Sequence, residues 1–375
     1  MNVMEERILA HGDDGVEIRI TLNRPERNWP PQPVILLVAG TGSFDEDVFF
    51  GVSGSLADLI FRDLAHRLVE RGYPVVRYAK RGVNCDPNKA RLFQNIEMPV
   101  DVAVVTEGSQ CLDPHILAGV STETMVQDLA TAYHVAEREH PCVIVLGHSE
   151  GFANVAMAIA TGEINPCGIV GIGALLESPA TVLEWQMVDR VADSLNQMDQ
   201  DQDGVTTNQE VRVGYARSWA SVFGNMSALL APSGAWTSEQ IEAVRQAWRT
   251  MYQASRDEAL AQDPGTLFEM QGRPIASYRW WQSWFTETTP VAENLKNYSG
   301  PVTFIYGDLD SQTPPERQLV AHRMAGANDD RRFVIMPGVG HTLGSHVLMG
   351  PIGDDEKERL LDEVDRLVRS VSQPH

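Results

Sequence analysis

Residues 142–160 read CVIVLGHSEGFANVAMAIA, and the reading of this stretch decides the fold. Residues 142–146 form a short continuous apolar run, the pattern of a strand buried on both faces of a parallel sheet. Residues 153–160 read as a helix. Between them stands Gly147-His148-Ser149-Glu150-Gly151, of the form G-x-S-x-G. A strand that turns sharply into a helix through such a pentapeptide projects the serine hydroxyl, and the flanking glycines let neighbouring backbone come close. The serine is then aimed near a helix N-terminus, which favours developing negative charge.

The same alternation extends in both directions. Upstream, PVILLVAGTGSFDED (33–47) holds an apolar strand at 34–38 that ends in a glycine turn. A helix over 56–71 follows, with Ile60, Leu64 and Leu68 at four-residue spacing. The next strand is 73–78. A loop-rich stretch, 84–120, carries no readable role. Ser121 or Thr122 caps a helix over 123–139, and 168–172 is another strand. A hairpin around HGDDG, with arms near 6–10 and 16–22, opens the chain. Strands at 301–306 and 332–336 and a helix over 355–370 close it. This order predicts a mostly parallel sheet with helices on both faces. From about 177 to 299 the strand pattern stops and the chain reads as almost entirely helical. Seven of the eight tryptophans lie there: Trp185, Trp219, Trp236, Trp248, Trp280, Trp281 and Trp284. The expected organisation is an α/β core in two pieces, 1–176 and 300–375, with a helical insertion, 177–299, between them.

A nucleophilic serine needs a base, and the base needs an orienting acid, in the chain order Ser, Asp or Glu, His. GDLDSQTP (307–314) follows an apolar strand and offers both Asp308 and Asp310 as the acid. MPGVGHTLG (336–344) places His341 in a loop as the base, with His346 its near competitor. An oxyanion needs preorganised N–H donors. One is expected from Glu150, after the nucleophile. The other is expected from the turn Gly40-Thr41-Gly42, at the Thr41 amide.

These motifs resemble the α/β-hydrolase superfamily, and within it the bacterial serine esterases that carry a helical lid after the sixth strand. GTGSFDED is similar to their G-S-G-P-x-D-R-D stretch, and YPVVRYAKRGVN to their R-Y-D-x-R-G-x-G strand end. Residues 277–315, ending YGDLDSQTPP, resemble their return from lid to core, and PGVGH their histidine loop. The resemblance spans most of 1–176 and 275–375. It implies an α/β-hydrolase fold, Asp310 rather than Asp308 as the acid, and hydrolysis of carboxylic esters, often with small or aromatic acyl groups. Thioesters and amides are substrates of relatives. The sequence departs from the pattern at Ala39, where many members have His, at Ala79, where Asp is expected, and at Phe152, where a second Gly is common.

One further motif lies inside the insertion. Residues 199–210, DQDQDGVTTNQE, match a twelve-residue EF-hand calcium loop. Such a loop takes oxygens from positions 1, 3 and 5, glycine at 6, a carbonyl at 7 and a carboxylate at 12. Asp199, Asp201, Asp203, Gly204, the Val205 carbonyl and Glu210 fill those places, and Thr207 stands at position 9. Thr206 replaces the usual apolar residue at position 8, and no second loop of this kind is found for pairing. Four carboxylates in twelve residues repel one another, so calcium is expected as a structural clip joining two insertion helices. No organic cofactor is expected.

The formal charge of −21 over 375 residues disfavours nucleic acid as a partner. No apolar run approaches the roughly 18 residues of a membrane span. Cys85, Cys111, Cys142 and Cys167 show no metal-type or dense disulfide spacing and read as free thiols. With no secretory signal pattern in residues 1–20, the expected location is cytoplasmic. No feature specifies an oligomeric state. The expected activity is cleavage of small carboxylic esters through an acyl-enzyme, and the tryptophans nearest the core suit an apolar or aromatic acyl group. The alternatives are a peptidase or thioesterase with the same Ser149–Asp310–His341 set, or a calcium-dependent binding protein on an inactive hydrolase fold.

Overall fold

The structure is a computed structural model that describes residues 3–26, 32–51, 57–84, 111–219, 226–270, 273–326, 331–345 and 350–372. His346, Cys85 and most of the loop-rich stretch 84–120 lie outside the described residues. The centre is an eight-stranded sheet: β1 (Val3–His11), β2 (Glu17–Pro25), β3 (Val34–Val38), β4 (Val75–Tyr78), β5 (Val143–His148), β6 (Gly168–Ile172), β7 (Val302–Gly307) and β8 (Arg332–Met336). Their order across the sheet is β1-β2-β4-β3-β5-β6-β7-β8. Only the β1–β2 and β2–β4 pairings are antiparallel; the other five are parallel. This is the α/β-hydrolase fold.

The continuous apolar runs follow from burial on both faces. Along β3, Val34, Leu36 and Val38 enter one core cluster and Ile35 and Leu37 the other. The first cluster is covered by α2 (Thr122–Glu139) and α3 (Glu150–Ala160), through Val126, Leu129, Tyr133 and Val155. The second is covered by α1 (Ile60–Glu70) and the C-terminal helix (Asp354–Ser372), through Leu64, Leu68, Leu361 and Val364. Ser121 caps α2 with a reciprocal capping box to Thr124. The helix after the serine begins at Glu150 rather than at 153, because the turn into it is completed by Ser149 alone.

Between β6 and β7 no described residue adds a strand to this sheet. This span is less purely helical than its sequence pattern suggests: Val205–Thr207 pairs antiparallel with Ala235–Thr237, and Leu267–Met270 with Arg273–Ser277. Both pairs are too short to leave a periodicity signal. The longer helices of the span are Arg190–Met198, Asn208–Gly214, Ser238–Ala261 and Tyr278–Thr286.

The free-thiol expectation is corrected. Cys142 and Cys167 form a disulfide, with Cα atoms 5.4 Å apart, and Cys111 is disulfide-bonded as well. The reason is topological: Cys142 precedes β5 and Cys167 precedes β6, and those strands are parallel neighbours, so residues 25 apart in sequence meet at one sheet end. Structural disulfides belong to oxidising compartments, so the cysteines no longer support a cytoplasmic location. No helix among the described residues is long and apolar enough to cross a membrane.

Helix α3 crosses β3 at a distance only glycine allows. A Cβ on Gly151 would lie 2.5 Å from the Ala39 carbonyl oxygen and 2.6 Å from that of Val38. Backbone atoms cannot yield as a flexible side chain would. Gly151→Ala is therefore expected to lower stability by about 1–3 kcal/mol, read as a drop in the urea midpoint.

Candidate active site

β5 ends at His148 and α3 begins at Glu150, leaving Ser149 as the whole of the corner. Its backbone has φ 54° and ψ −125°, a region L-residues rarely occupy. Two bonds hold it there: the Ser149 N–H donates to Ile172 O (2.9 Å), and Phe152 N–H donates to Ser149 O (3.0 Å). Gly147 is required because a Cβ there would lie 2.8 Å from Phe152 Cα.

His341 and Asp310 meet beside this corner. His341 sits in the loop after β8, and Asp310 in the turn after β7. His341 Nδ1 lies 3.0 and 2.9 Å from the two Asp310 carboxylate oxygens. Asp310 is fully buried, yet amply bonded: it accepts from the amides of Gln312 and Thr313, each at 2.8 Å, and from the Thr313 hydroxyl at 3.0 Å. Burial alone would raise its pKa. The adjacent His341, its hydrogen bond and the two amides outweigh that and hold Asp310 below the ordinary carboxylate value. Asp308, the other carboxylate of this turn, is exposed and accepts from the Gly338 amide at 2.7 Å. It takes no part in the contact with His341.

Nδ1 of His341 is committed to Asp310. Ser149 and His341 line one cleft of about 270 Å³ without a direct hydrogen bond between them. Such contacts commonly tighten only when substrate is bound. Thr41, Glu150, Trp280, Trp281 and Trp284 line the same cleft. The Thr41 amide has no hydrogen-bond partner among the described residues. Glu150 opens α3, and a first-turn amide has no intrahelical acceptor. Neither amide has a hydrogen-bond partner among the described residues, and both residues line the cleft with Ser149.

Several participants left no sequence signal. Thr313 bonds Asp310 and approaches His341 Nδ1 at 3.3 Å. The Glu150 carboxylate, 5% exposed, accepts from Trp280 Nε1 at 2.5 Å on one oxygen. Its other oxygen has no hydrogen bond, with Lys80 Nζ 3.7 Å away. Only G-x-S-E-G itself, which puts an acid beside the nucleophile, hinted at a side-chain role there. His148 is half-buried and packs against His341, with ring centroids 4.9 Å apart. Burial, then the neighbouring His341, push its pKa down to about 3, so it is neutral at ordinary pH.

The candidate calcium loop lies outside this cleft. The carboxylates of Asp199, Asp201 and Asp203 converge, one oxygen of each lying within 4.8 Å of the others. Asp199 Oδ1 is screened from solvent and without a hydrogen-bond partner. Asp199 Oδ2 accepts from the Gly204 amide, and Asp203 Oδ1 from Val205 N–H. Glu210 is not turned onto the three aspartates. Its oxygens accept from Gln200 N–H (2.9 Å) and Thr207 N–H (2.8 Å), and Thr207 returns a bond to Glu210 N–H as a capping box. The loop does have a partner. In residues 229–240, Gly234 and Gln240 stand where Gly204 and Glu210 stand in 199–210, and Trp236 pairs with Thr206 at the centre of the two-stranded ladder. That second turn lacks the carboxylates, which is why its sequence gives no match.

Comparison with known proteins agrees with this fold. Residues 59–345 match the hydrolase family model described as "Serine aminopeptidase, S33". No curated protein matches the sequence. Among solved structures, the alpha/beta hydrolase GrgF from Penicillium sp. sh18 aligns over 99% of this chain and 100% of its own, at 15% identity and a TM-score of 0.51. DcsB, solved with a substrate analogue, aligns over 98% and 99%, at 15% identity and a TM-score of 0.50. A hypothetical protein from Pseudomonas aeruginosa aligns over 97% and 94%, at 12% identity and a TM-score of 0.50. At these identities the likeness is one of fold.

His148 carries a pH signature. Its folded pKa, about 3, lies below the ordinary histidine value of 6.5, so between those values the unfolded chain binds the extra proton. Stability should therefore fall as pH drops from 6.5 towards 3, by up to about 1.4 kcal/mol per pH unit from this group. His148→Gln is expected to flatten that slope in urea melts taken at successive pH values.

Proposed function

The chain belongs to the hydrolase family described as serine aminopeptidase, S33, and from that premise we propose that it cleaves small carboxylic esters through an acyl-enzyme. The observation that carries this reading is one cleft lined by Ser149, His341, Thr41 and Glu150 and walled by three tryptophans. Ser149 Oγ attacks the acyl carbon while His341 takes its proton through Nε2. Asp310, held ionised, keeps the imidazole oriented and stabilises the imidazolium. The amides of Thr41 and Glu150 bind the oxyanion. Collapse expels the alcohol, protonated by His341. Water, deprotonated by the same imidazole, then releases the acid. Trp280, Trp281 and Trp284 give the acyl side an apolar, aromatic wall. In this reading residues 177–299 form a lid over a core of 1–176 and 300–375.

One observation favours a second reading, hydrolysis of an amide next to a free amine. The buried Glu150 oxygen without a hydrogen bond would accept from a substrate ammonium or hydroxyl.

We further propose calcium at Asp199, Asp201 and Asp203. The donor set fits: three hard carboxylate oxygens converge, and one Asp199 oxygen is screened and unpaired. The Val205 carbonyl and Thr207 lie on the adjoining strand, and Glu210 would have to leave its capping box to join. Bound there, the ion relieves carboxylate repulsion and ties helix Arg190–Met198 to Asn208–Gly214.

Initial rates on p-nitrophenyl esters of increasing acyl length, beside amino-acid p-nitroanilides, test the activity. The expected outcome is ester turnover that Ser149→Ala abolishes. Anilide turnover alone would select the second reading, and turnover surviving Ser149→Ala would overturn both. For calcium, saturation at about a hundred times Kd contributes about 2.7 kcal/mol. The melting temperature should then rise by about 3 °C over chelator, and Asp203→Ala should remove that rise. A melt indifferent to calcium in the wild type would remove the metal.

A further inference from the structure

Lys80 follows β4 and stands at the unspecified position of the stretch that resembles R-Y-D-x-R-G-x-G. Its side chain is 16% exposed, and its ammonium donates to the Gly40 carbonyl oxygen. No other donor reaches that oxygen among the described residues. Gly40 is buried against the nucleophile: a Cβ there would lie 2.9 Å from Ser149 Cβ. The carbonyl of Gly40 and the amide of Thr41 belong to one peptide unit. In a trans unit they point in opposite directions, and the chain has no cis bond among the described residues. Whatever holds the carbonyl therefore also aims the N–H.

The two ends of that unit face different spaces. Lys80, with Gly42 and Ser43, lines a narrow cavity behind the turn. Thr41 lines the cleft that holds Ser149 and His341. The unit also needs a hold. Turning the unit over changes ψ of Gly40 and φ of Thr41, and Gly40, without a Cβ, offers little steric resistance on its side. We propose that Lys80 is a positioning residue: by binding the Gly40 carbonyl it keeps the Thr41 amide turned into the cleft, where the oxyanion forms. The inference rests on the serine-hydrolase reading above.

A second contact joins the other half of the oxyanion site. Lys80 Nζ lies 3.7 Å from a Glu150 carboxylate oxygen, and the other oxygen of that carboxylate accepts from Trp280 Nε1. The main-chain N–H of Glu150 is the second expected donor. The series Trp280, Glu150, Lys80, Gly40 thus links the helix that carries one amide to the turn that carries the other. Burial lowers the Lys80 pKa and the Glu150 carboxylate opposes that shift. Either protonation state of the amine retains an N–H for the carbonyl.

The test compares wild type, Lys80→Met and Lys80→Gln on the best p-nitrophenyl ester, with a trifluoromethyl ketone of the same acyl group as transition-state analogue. Losing an oxyanion donor outright costs about 10²–10³ in kcat. Loosening one through its anchor should cost less, about tenfold to a hundredfold. For folded Lys80→Met the expected result is that loss in kcat, KM within about twofold of wild type, and ketone affinity weakened by the same factor as kcat. Lys80→Gln, which keeps an N–H donor, should fall between the two and carries the test if the Met variant does not fold. Unchanged kcat in either folded variant, or a rise in KM with ketone affinity intact, would overturn the assignment. Ser149→Ala in the same panel separates the failures: turnover surviving there would defeat the hydrolase reading rather than the role of Lys80.

Discussion

Everything at the site depends on one residue held where residues of its kind rarely go. Ser149, at φ 54°, is the entire turn between β5 and α3. A left-handed backbone costs an L-residue roughly 1–2 kcal/mol, and the surrounding structure keeps it there. Gly147 and His148 are in register with Val38 of β3 and Ile172 of β6, so the strand cannot slide to relieve the turn. Gly151 seats α3 directly on the Ala39 carbonyl. The same corner aims the hydroxyl, frees the Glu150 amide and sets the direction of α3, so none of the three can be adjusted alone.

Around this corner two of the buried arginines of a strongly acidic chain serve as scaffolding. Arg77, on β4, contacts Asp47 and Glu5, donates to Asn23 Oδ1 at 3.1 Å and to Glu46 O at 3.2 Å. It thereby fixes the acidic turn that follows Gly40-Thr41-Gly42. Arg81 pairs with Asp128 of α2 through two bonds, 2.7 and 2.5 Å, and with Asp14 at 2.6 Å. Removing such charges from water is expensive, and the cost is met by bonds on nearly every face of each guanidinium. They fix the end of β4 beside the serine, with Lys80 between them in sequence.

The parts of this molecule written as periodicity were legible. Continuous apolar runs at 34–38, 143–146, 168–172 and 302–306 are strands because both faces of the sheet are covered. The motif order named Ser149, Asp310 and His341; Asp310 bonds His341 and Ser149 lines the same cleft as His341, while Asp308 and Asp310 differ in burial in a way two neighbouring letters cannot express. What escaped was pairing between distant segments. Cys142 meets Cys167 because two strands are neighbours, not because of spacing. The turn 229–240 partners the acidic loop through backbone bonds that no side chain advertises. Lys80 and the Glu150 carboxylate meet only because β4 ends against the helix that follows the serine. Each is a fact of topology, which a single sequence holds only implicitly.

The long excursion between β6 and β7 closes on itself soon after it leaves the sheet, before the chain runs back to the opposite end to begin the parallel β7. Ala180 N–H donates to Glu287 O (3.0 Å), Val291 N–H to Glu177 O (3.3 Å) and Ala292 N–H to Leu176 O (3.1 Å). The span between these anchors thus hangs from a backbone clasp rather than bridging a gap. The entropy of closing a loop grows only logarithmically with its length, and here the clasp already fixes both ends. The sheet is consequently indifferent to how much chain is threaded between them. Such a doorway lets a whole module be exchanged, shortened or acquired while the nucleophile's corner stays untouched, a route by which one scaffold can change what it admits without relearning how to react.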